Sequence, residues 1–365
     1  MKIIMLLLLV FFATPTVSYG LEISAKSACL IVAESGEIVY AKEPDMRLPM
    51  ASTTKMMTAL VAAESGCWED VATVSVNAQN QEGSSIYLQE NDRVKLSDLV
   101  SGMMLNSGND AAVATAEHIS GSSENFAKLM TERARKIGAV NTSFENPSGL
   151  DNENHYSTAY DLALIGSEVV KNKCLSPIIQ SKEMKITNQD GDVTYLRNHN
   201  KLLWSYEGMI GVKTGFTKKS GRCLVTAAKR DGITLVAVTL CDPCDWKDHK
   251  EMLDYGFERC QNRVEIKEGA VLKEVSVGNE LLKIVAEESL ATVDVIDIKE
   301  ERELRVSIIR EIEAPINKGE KVGEAKMYQN GRLIGEINLV AERDIFEIEK
   351  EKEGFFHTIK ELLGI

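Results

Sequence analysis

The chain has 365 residues, 44% hydrophobic and 27% charged, which is ordinary globular composition with room for two domains and excludes a disordered protein. A formal net charge of -13 excludes nucleic acid as a partner, because neutralising a phosphate backbone needs clustered Lys and Arg that the sequence lacks. Of seven cysteines only Cys241 and Cys244, in CDPC, have motif spacing; with no second pair of ligands they read as loop thiols or a local disulfide, and no metal is expected.

The first twenty residues carry Lys2, an apolar run from Ile3 to Ala13 and small residues at Ser18 and Gly20, the pattern of an export signal cut after Gly20. A retained membrane anchor is the alternative, disfavoured by the shortness of the run. The mature protein is therefore expected outside the cytoplasm. Residues 27–42 alternate apolar positions around Glu34–Glu37 and predict a hairpin. The spacing of Met56, Met57, Leu60, Val61 and Ala63 predicts a helix from Thr53 to about Ser65, stopped by Gly66. Further helices are expected over residues 98–105, 110–120, 124–137 after Ser122 and Ser123, and 158–171 after Ser157.

Beyond Pro177 the pattern returns to strands in GMIGVKTGF, RCLVTAAK and TLVAVTLC, the last two joined at Arg230-Asp231-Gly232. Two early and three late strands with helices between them predict an α+β domain whose single antiparallel sheet is flanked by helices and ends in the helix of HKEMLDYGFERC. After Asn262 short Val/Ile alternations and the hairpin signal Asn330-Gly331 predict a small all-β domain. The end, EGFFHTIKELLGI, places Phe355, Phe356, Ile359, Leu362 and Leu363 on one stripe of an amphipathic helix, suited to a membrane interface or to packing on its own β-domain. The expected divisions are a signal over 1–20, the α+β domain over 21–261, the β-domain over 262–345 and the amphipathic segment over 346–365.

Ser52 and Lys55 stand three apart where the first helix begins. Capping of free N–H groups is one use for such a Ser. A second is chemical: residues three apart share a helix face, and a Lys whose pKa is lowered by burial or a nearby cation can take the proton of a Ser hydroxyl. Ser-x-x-Lys alone does not decide between them. Ser107-Gly108-Asn109, in a break between two helices, and Lys213-Thr214-Gly215, on a strand, change the weight.

With these three motifs in this order, the chain resembles the penicillin-binding, serine acyl-transferase superfamily, and within it the D-alanyl-D-alanine carboxypeptidase branch that carries a C-terminal β-domain. The likeness covers the chain from the signal segment to the C-terminal helix and includes FENPSGLD, HYSTAYDLA, RNHNKLLW and the GFT that ends in Thr217. The resemblance implies a β-lactamase/transpeptidase-like fold and removal of the terminal D-alanine from peptidoglycan stem pentapeptides without a cofactor. It implies that Ser52 attacks the carbonyl between two D-alanines, that Lys55 is its base, and that a permanent cation at Lys213 keeps Lys55 neutral. Ser107 relays a proton to the departing amine, Asn109 holds the substrate's peptide group, and the N–H groups of Ser52 and Phe216 form the oxyanion hole. Lys213, Thr214, Gly215 and Arg197 line the substrate subsite, Arg197 and Lys213 with Thr214 taking the terminal carboxylate.

β-Lactams are implied inhibitors, and peripheral membrane contact through the last helix is implied by position. Arg197 also reads as a surface residue, one of Asn109 and Asp110 as a helix cap, and His155 and His199 as structural hydrogen-bonding residues. A class A β-lactamase, which needs a Glu such as Glu145 or Glu153, a transpeptidase or endopeptidase using the same acyl-enzyme, and a non-catalytic wall-binding scaffold are the alternatives.

Overall fold

The computed structural model describes residues 21–296, 298–299, 301–308 and 312–346. The export signal and the terminal apolar stripe both lie outside the described residues. Strands β1 (Ser27–Val32), β2 (Ile38–Lys42), β3 (Met209–Thr217), β4 (Gly221–Arg230) and β5 (Ile233–Leu240) form one antiparallel sheet in the order β2-β1-β5-β4-β3. The two early strands and three late ones thus join as their alternation predicts, through the pairing of β1 with β5. β3, which carries Lys213-Thr214-Gly215, is left at an open edge.

Every residue of β1 and β5 is buried, because both faces of the sheet are covered. On one face Cys29, Ile31, Val225, Val236 and Val238 join the main core with side chains of α1 (Lys55–Glu64), α2 (Leu96–Leu105), α3 (Asn109–Ser120), α4 (Ser123–Ile137) and α5 (Ala159–Lys171). On the other, Leu30, Val32, Leu235 and Ala237 pack on Met252 and Leu253 of α6 (Asp245–Arg259). Ser122 caps α4 as expected, accepting from Asn125 N–H. The cap of α5 is Thr158 rather than Ser157, whose hydroxyl instead pairs with Thr142 at 2.7 Å.

The chain leaves α6 directly into the strand Cys260–Ile266, which pairs with Leu290–Val295. A second five-stranded antiparallel sheet follows, with its own core around Leu282, Ile284, Ala325, Ile337 and Leu339. Asn330 and Gly331 make the two-residue turn between its longest strands, both with positive φ, 51° and 77°. This tip docks on the first domain: Gln329 Nε2 donates to Glu37 at 2.9 Å and Arg332 donates to the Ile137 carbonyl at the end of α4 at 3.1 Å. Among the described residues no helix is long and apolar enough to cross a membrane.

Gly256 lets α6 lie close to the sheet, since a Cβ there would stand 2.7 Å from both Leu30 and Leu235. Gly256→Ala is expected to force the helix outward and to lower the unfolding free energy by about 1–3 kcal/mol in urea titrations. An unchanged midpoint would contradict this close packing.

Candidate active site

A 3-10 turn, Ala51–Thr54, precedes α1 and carries Ser52. Its hydroxyl does not cap the helix: neither Met50 before this turn nor Thr54 before α1 makes a side-chain cap, and Ser52 Oγ lies 3.0 Å from Lys55 Nζ. Lys55 is completely buried, and its amine has two further partners, Asn109 Oδ1 at 2.7 Å and the Ser148 carbonyl at 2.5 Å. Burial first, and then the charge of Lys213, hold the Lys55 amine well below the ordinary lysine value, with Asp110 pulling the other way.

Those three partners decide how a neutral amine sits. A neutral amine has two N–H bonds and one lone pair. The amide oxygen and the carbonyl oxygen can only accept, so they take the two N–H bonds. The lone pair is left for Ser52, the one partner that can donate. Ser52 therefore bonds Lys55 and does not cap the helix.

Both acceptors are themselves fixed. Asn146 Oδ1 accepts from Ser148 N at 3.2 Å and Gly149 N at 2.7 Å, and its Nδ2 donates to Leu150 O at 2.9 Å, which holds the turn that presents the Ser148 carbonyl. Asn109 donates from Nδ2 to Glu82 O at 2.5 Å, so its amide oxygen must face Lys55. Neither Asn109 nor Asp110 is the cap of α3, which is Gly108; Asp110 is buried and ties down the preceding loop by accepting from Ser85 Oγ at 2.6 Å and from Ile86 and Leu88 N–H at 3.1 Å. These roles escape sequence reading because the partners of Asp110 lie 22 to 25 residues away and the Ser148 carbonyl that Asn146 presents meets Lys55 93 residues away.

Lys213 is 1% exposed and donates to Ser107 Oγ and, at 3.0 Å, to the Thr214 carbonyl. Ser107 adopts φ +62°, in the break between α2 and α3. Burial pushes the Lys213 amine down to about 7, so it is not the permanent cation the sequence suggested. A lysine removed from water with no carboxylate in hydrogen-bond contact loses charge readily.

Gly215 brings β3 against the 3-10 turn: a Cβ there would lie 3.1 Å from Met50 O and from the N–H nitrogens of Ser52 and Thr53. Ser52, Ser107, Thr214, Gly215 and Phe216 all line one cavity of about 340 Å³, together with Ser84, His199, Lys201, Arg222 and Trp246. Phe216 is 66% exposed at its rim. Arg197 is not among the lining residues: its guanidinium points outward, 5.6 Å above the Trp204 ring and 3.8 Å from Glu183, while only its backbone N–H turns inward, to Asn106.

The two histidines are not bases for Ser52. Glu145 N–H donates to His155 Nδ1 at 3.0 Å, so Nε2 carries the proton and donates to Thr54 at 2.7 Å. Burial, then Lys55, push His155 down to about 4. His199 is lowered by burial and then by Lys213. Glu145 and Glu153 are exposed and do not line the cavity. Cys241 and Cys244 are exposed free thiols, whereas Cys223 and Cys260 are buried and pushed up to about 11 by burial; no group of three or more metal-binding side chains occurs among the described residues.

The chain is similar to known proteins over most of its length. Residues 13–243 match the D-alanyl-D-alanine carboxypeptidase family, and residues 262–347 match the C-terminal domain of penicillin-binding protein 5. The D-alanyl-D-alanine carboxypeptidase DacF of Bacillus subtilis is 32% identical over 356 residues, covering 93% of this chain and 89% of that protein. The structure of penicillin-binding protein 5 from Haemophilus influenzae superposes with a TM-score of 0.65 at 30% identity, over 89% of this chain and 98% of that one. The Streptomyces K15 DD-transpeptidase superposes with a TM-score of 0.62 at 31% identity, over 65% of this chain and 98% of its own. The match over most of the first domain, the further match over the second and the likeness of whole chains show that this chain belongs to the D-alanyl-D-alanine carboxypeptidase family of serine peptidases.

Proposed function

We propose that Ser52 is the acyl-accepting nucleophile and Lys55 its base in a carboxypeptidase that removes the terminal D-alanine from peptidoglycan stem pentapeptides. The observation that supports this most is the arrangement at Lys55, where two acceptor-only oxygens take both N–H bonds of a neutral amine and direct its lone pair at the Ser52 hydroxyl. In the forward step Lys55 takes the hydroxyl proton while Oγ bonds to the carbonyl carbon between the two D-alanines. The N–H groups of Ser52 and Phe216 receive the charge that develops on oxygen, where a missing donor costs about 3–4 kcal/mol. Ser107, hydrogen-bonded to Lys213, hands a proton to the leaving nitrogen as the C–N bond breaks and is restored by the proton that Lys55 took from Ser52, which leaves the Lys55 amine neutral again. Water then cleaves the acyl-enzyme with the Lys55 amine again as base.

The same serine is acylated by β-lactams. Neither Glu145 nor Glu153 lines the cavity, and Asp245, which does, is engaged by Arg222, which favours carboxypeptidase over class A β-lactamase chemistry. Endopeptidase or transpeptidase action would use the same first half-reaction. Asn109 orients the substrate's peptide group in this reading, and Thr214 and Gly215 form the wall of edge strand β3 against which the peptide lies. The enzyme works outside the cytoplasm, where its substrate is, and the stripe over residues 355–363 holds it at the membrane surface.

Three outcomes check this. Wild-type protein should shorten pentapeptide muropeptides by one alanine in mass spectra and take a covalent fluorescent penicillin label, and Ser52→Ala should lose both, with turnover down at least about 10⁴-fold. A labelled Ser52→Ala protein would contradict the assignment. The pH profile of kcat/KM should be a bell, rising as the buried Lys55 deprotonates well below 10.5 and falling as Lys213 loses its proton near 7. Because a bound anionic substrate favours the charged form of Lys213, the alkaline limb of kcat should lie at higher pH than that of kcat/KM; identical limbs would remove Lys213 from the substrate site. Finally, deletion of residues 354–365 should move the protein from the membrane to the soluble fraction, and full retention would exclude the stripe as the anchor.

A further inference from the structure

We propose that Arg222 is the guanidinium that receives the terminal carboxylate of the substrate. This rests on the acyl-transfer reading above and assigns one subsite within it. Arg222 lines the cavity with Ser52, Thr214 and Gly215, and the β3–β4 register sets it directly opposite Phe216. Directly paired residues of an antiparallel ladder project to the same face, and residues two apart on a strand share that face, so Arg222 stands on the side of the sheet that bears Thr214 and Phe216.

The guanidinium is held ready rather than merely exposed. Asp245, whose side chain is 6% exposed, accepts from Arg222 Nε and Nη2 through one oxygen, at 2.9 Å each, and its other oxygen accepts from Trp246 N–H at 2.9 Å. The Trp246 ring supports the cation at 5.7 Å. Asp245 thereby occupies the side edge of the guanidinium fork. The end edge, Nη1 with Nη2, is the one suited to a second carboxylate, and Nη1 has no partner among the described residues. A carboxylate that fixes an arginine on one edge and leaves the other open is a positioning device.

Lys213 adds charge from behind Ser107 and Thr214, but it is buried, already donates to both and has no planar fork, and the other cations near the cavity are worse suited. Arg197 stands outside, stacked on Trp204. His199, lowered by burial and by Lys213, is uncharged at neutral pH. Lys201 lines the cavity but offers a point charge on a flexible stem without a fork. Arg222 and Thr214 together present the planar pair of donors and the hydroxyl that a carboxylate takes.

The test compares kcat/KM for an N-acylated tripeptide ending in D-Ala-D-Ala with that for the same peptide capped as its C-terminal carboxamide, with released D-alanine or D-alaninamide quantified by mass spectrometry. Wild-type enzyme should prefer the free carboxylate by about 100-fold, the loss expected when a charge-assisted pair is removed. Arg222→Gln should bring that preference below about 5-fold by slowing the carboxylate peptide alone, Arg222→Lys should lie between, and Arg197→Gln should keep the wild-type preference. The amide rate of Arg222→Gln reports whether its site is folded. Equal losses on both peptides would make Arg222 structural, and a preference erased by Arg197→Gln would move the subsite; either result overturns the assignment while leaving the acyl-transfer chemistry standing. Release from neither peptide by wild-type enzyme would overturn that chemistry and this assignment with it.

Discussion

The constraint on which this molecule depends is an amine kept in the interior whose hydrogen-bond partners are all neutral oxygens. A buried lysine is unfavourable in proportion to its charge, so the site keeps its free energy down by keeping the proton off. The same burial that makes Lys55 a poor cation favours the neutral amine, the form able to accept a proton, and a second buried lysine nearby reinforces the effect by repulsion. Stability and reactivity are therefore opposed at this point. The cost is borne by the core around it, where Met56, Met57, Leu60, Leu99 and Met103 are all within 1% of complete burial.

Position follows from how few degrees of freedom remain. Ser52 sits on a 3-10 turn pressed against an edge strand, Lys55 on the first turn of the helix that continues it, and the oxygens that accept from Lys55 on the first residue of α3 and on a turn, with the loops beside them pinned by Asp110 and Asn146. Each loop is anchored by side chains that accept from backbone N–H groups, so neither can shift without leaving buried polar atoms unpaired. α6, whose first residues Asp245 and Trp246 face the cavity from beyond β4, is itself fixed by the close packing at Gly256. The rigidity of the sheet is passed to the reacting atoms in this way.

Much of this was legible in the sequence. Alternation and helical spacing located the sheet strands and the main helices because each element buries a face whose period is visible locally, and Asn330-Gly331 marked its turn because the backbone there requires positive φ. The three motifs picked out Ser52, Lys55, Ser107, Asn109 and Lys213, which the fold brings together. What was not legible depends on tertiary contact. The charge of Lys213 was read as permanent because nothing local announces complete burial. Arg197 was assigned to the carboxylate from a motif, yet its side chain turns toward Trp204, and Arg222 drew no notice because its partner Asp245 is 23 residues away.

The most direct measurement of the central claim is the protonation of Lys55 itself. In protein labelled with 13C at lysine Cε, one NMR resonance absent from Lys55→Met should move to the neutral-amine position at a pH well below the ordinary lysine value. If the Lys55 resonance instead stays at the ammonium position until pH 10, the buried amine is a cation, and it cannot accept the Ser52 proton.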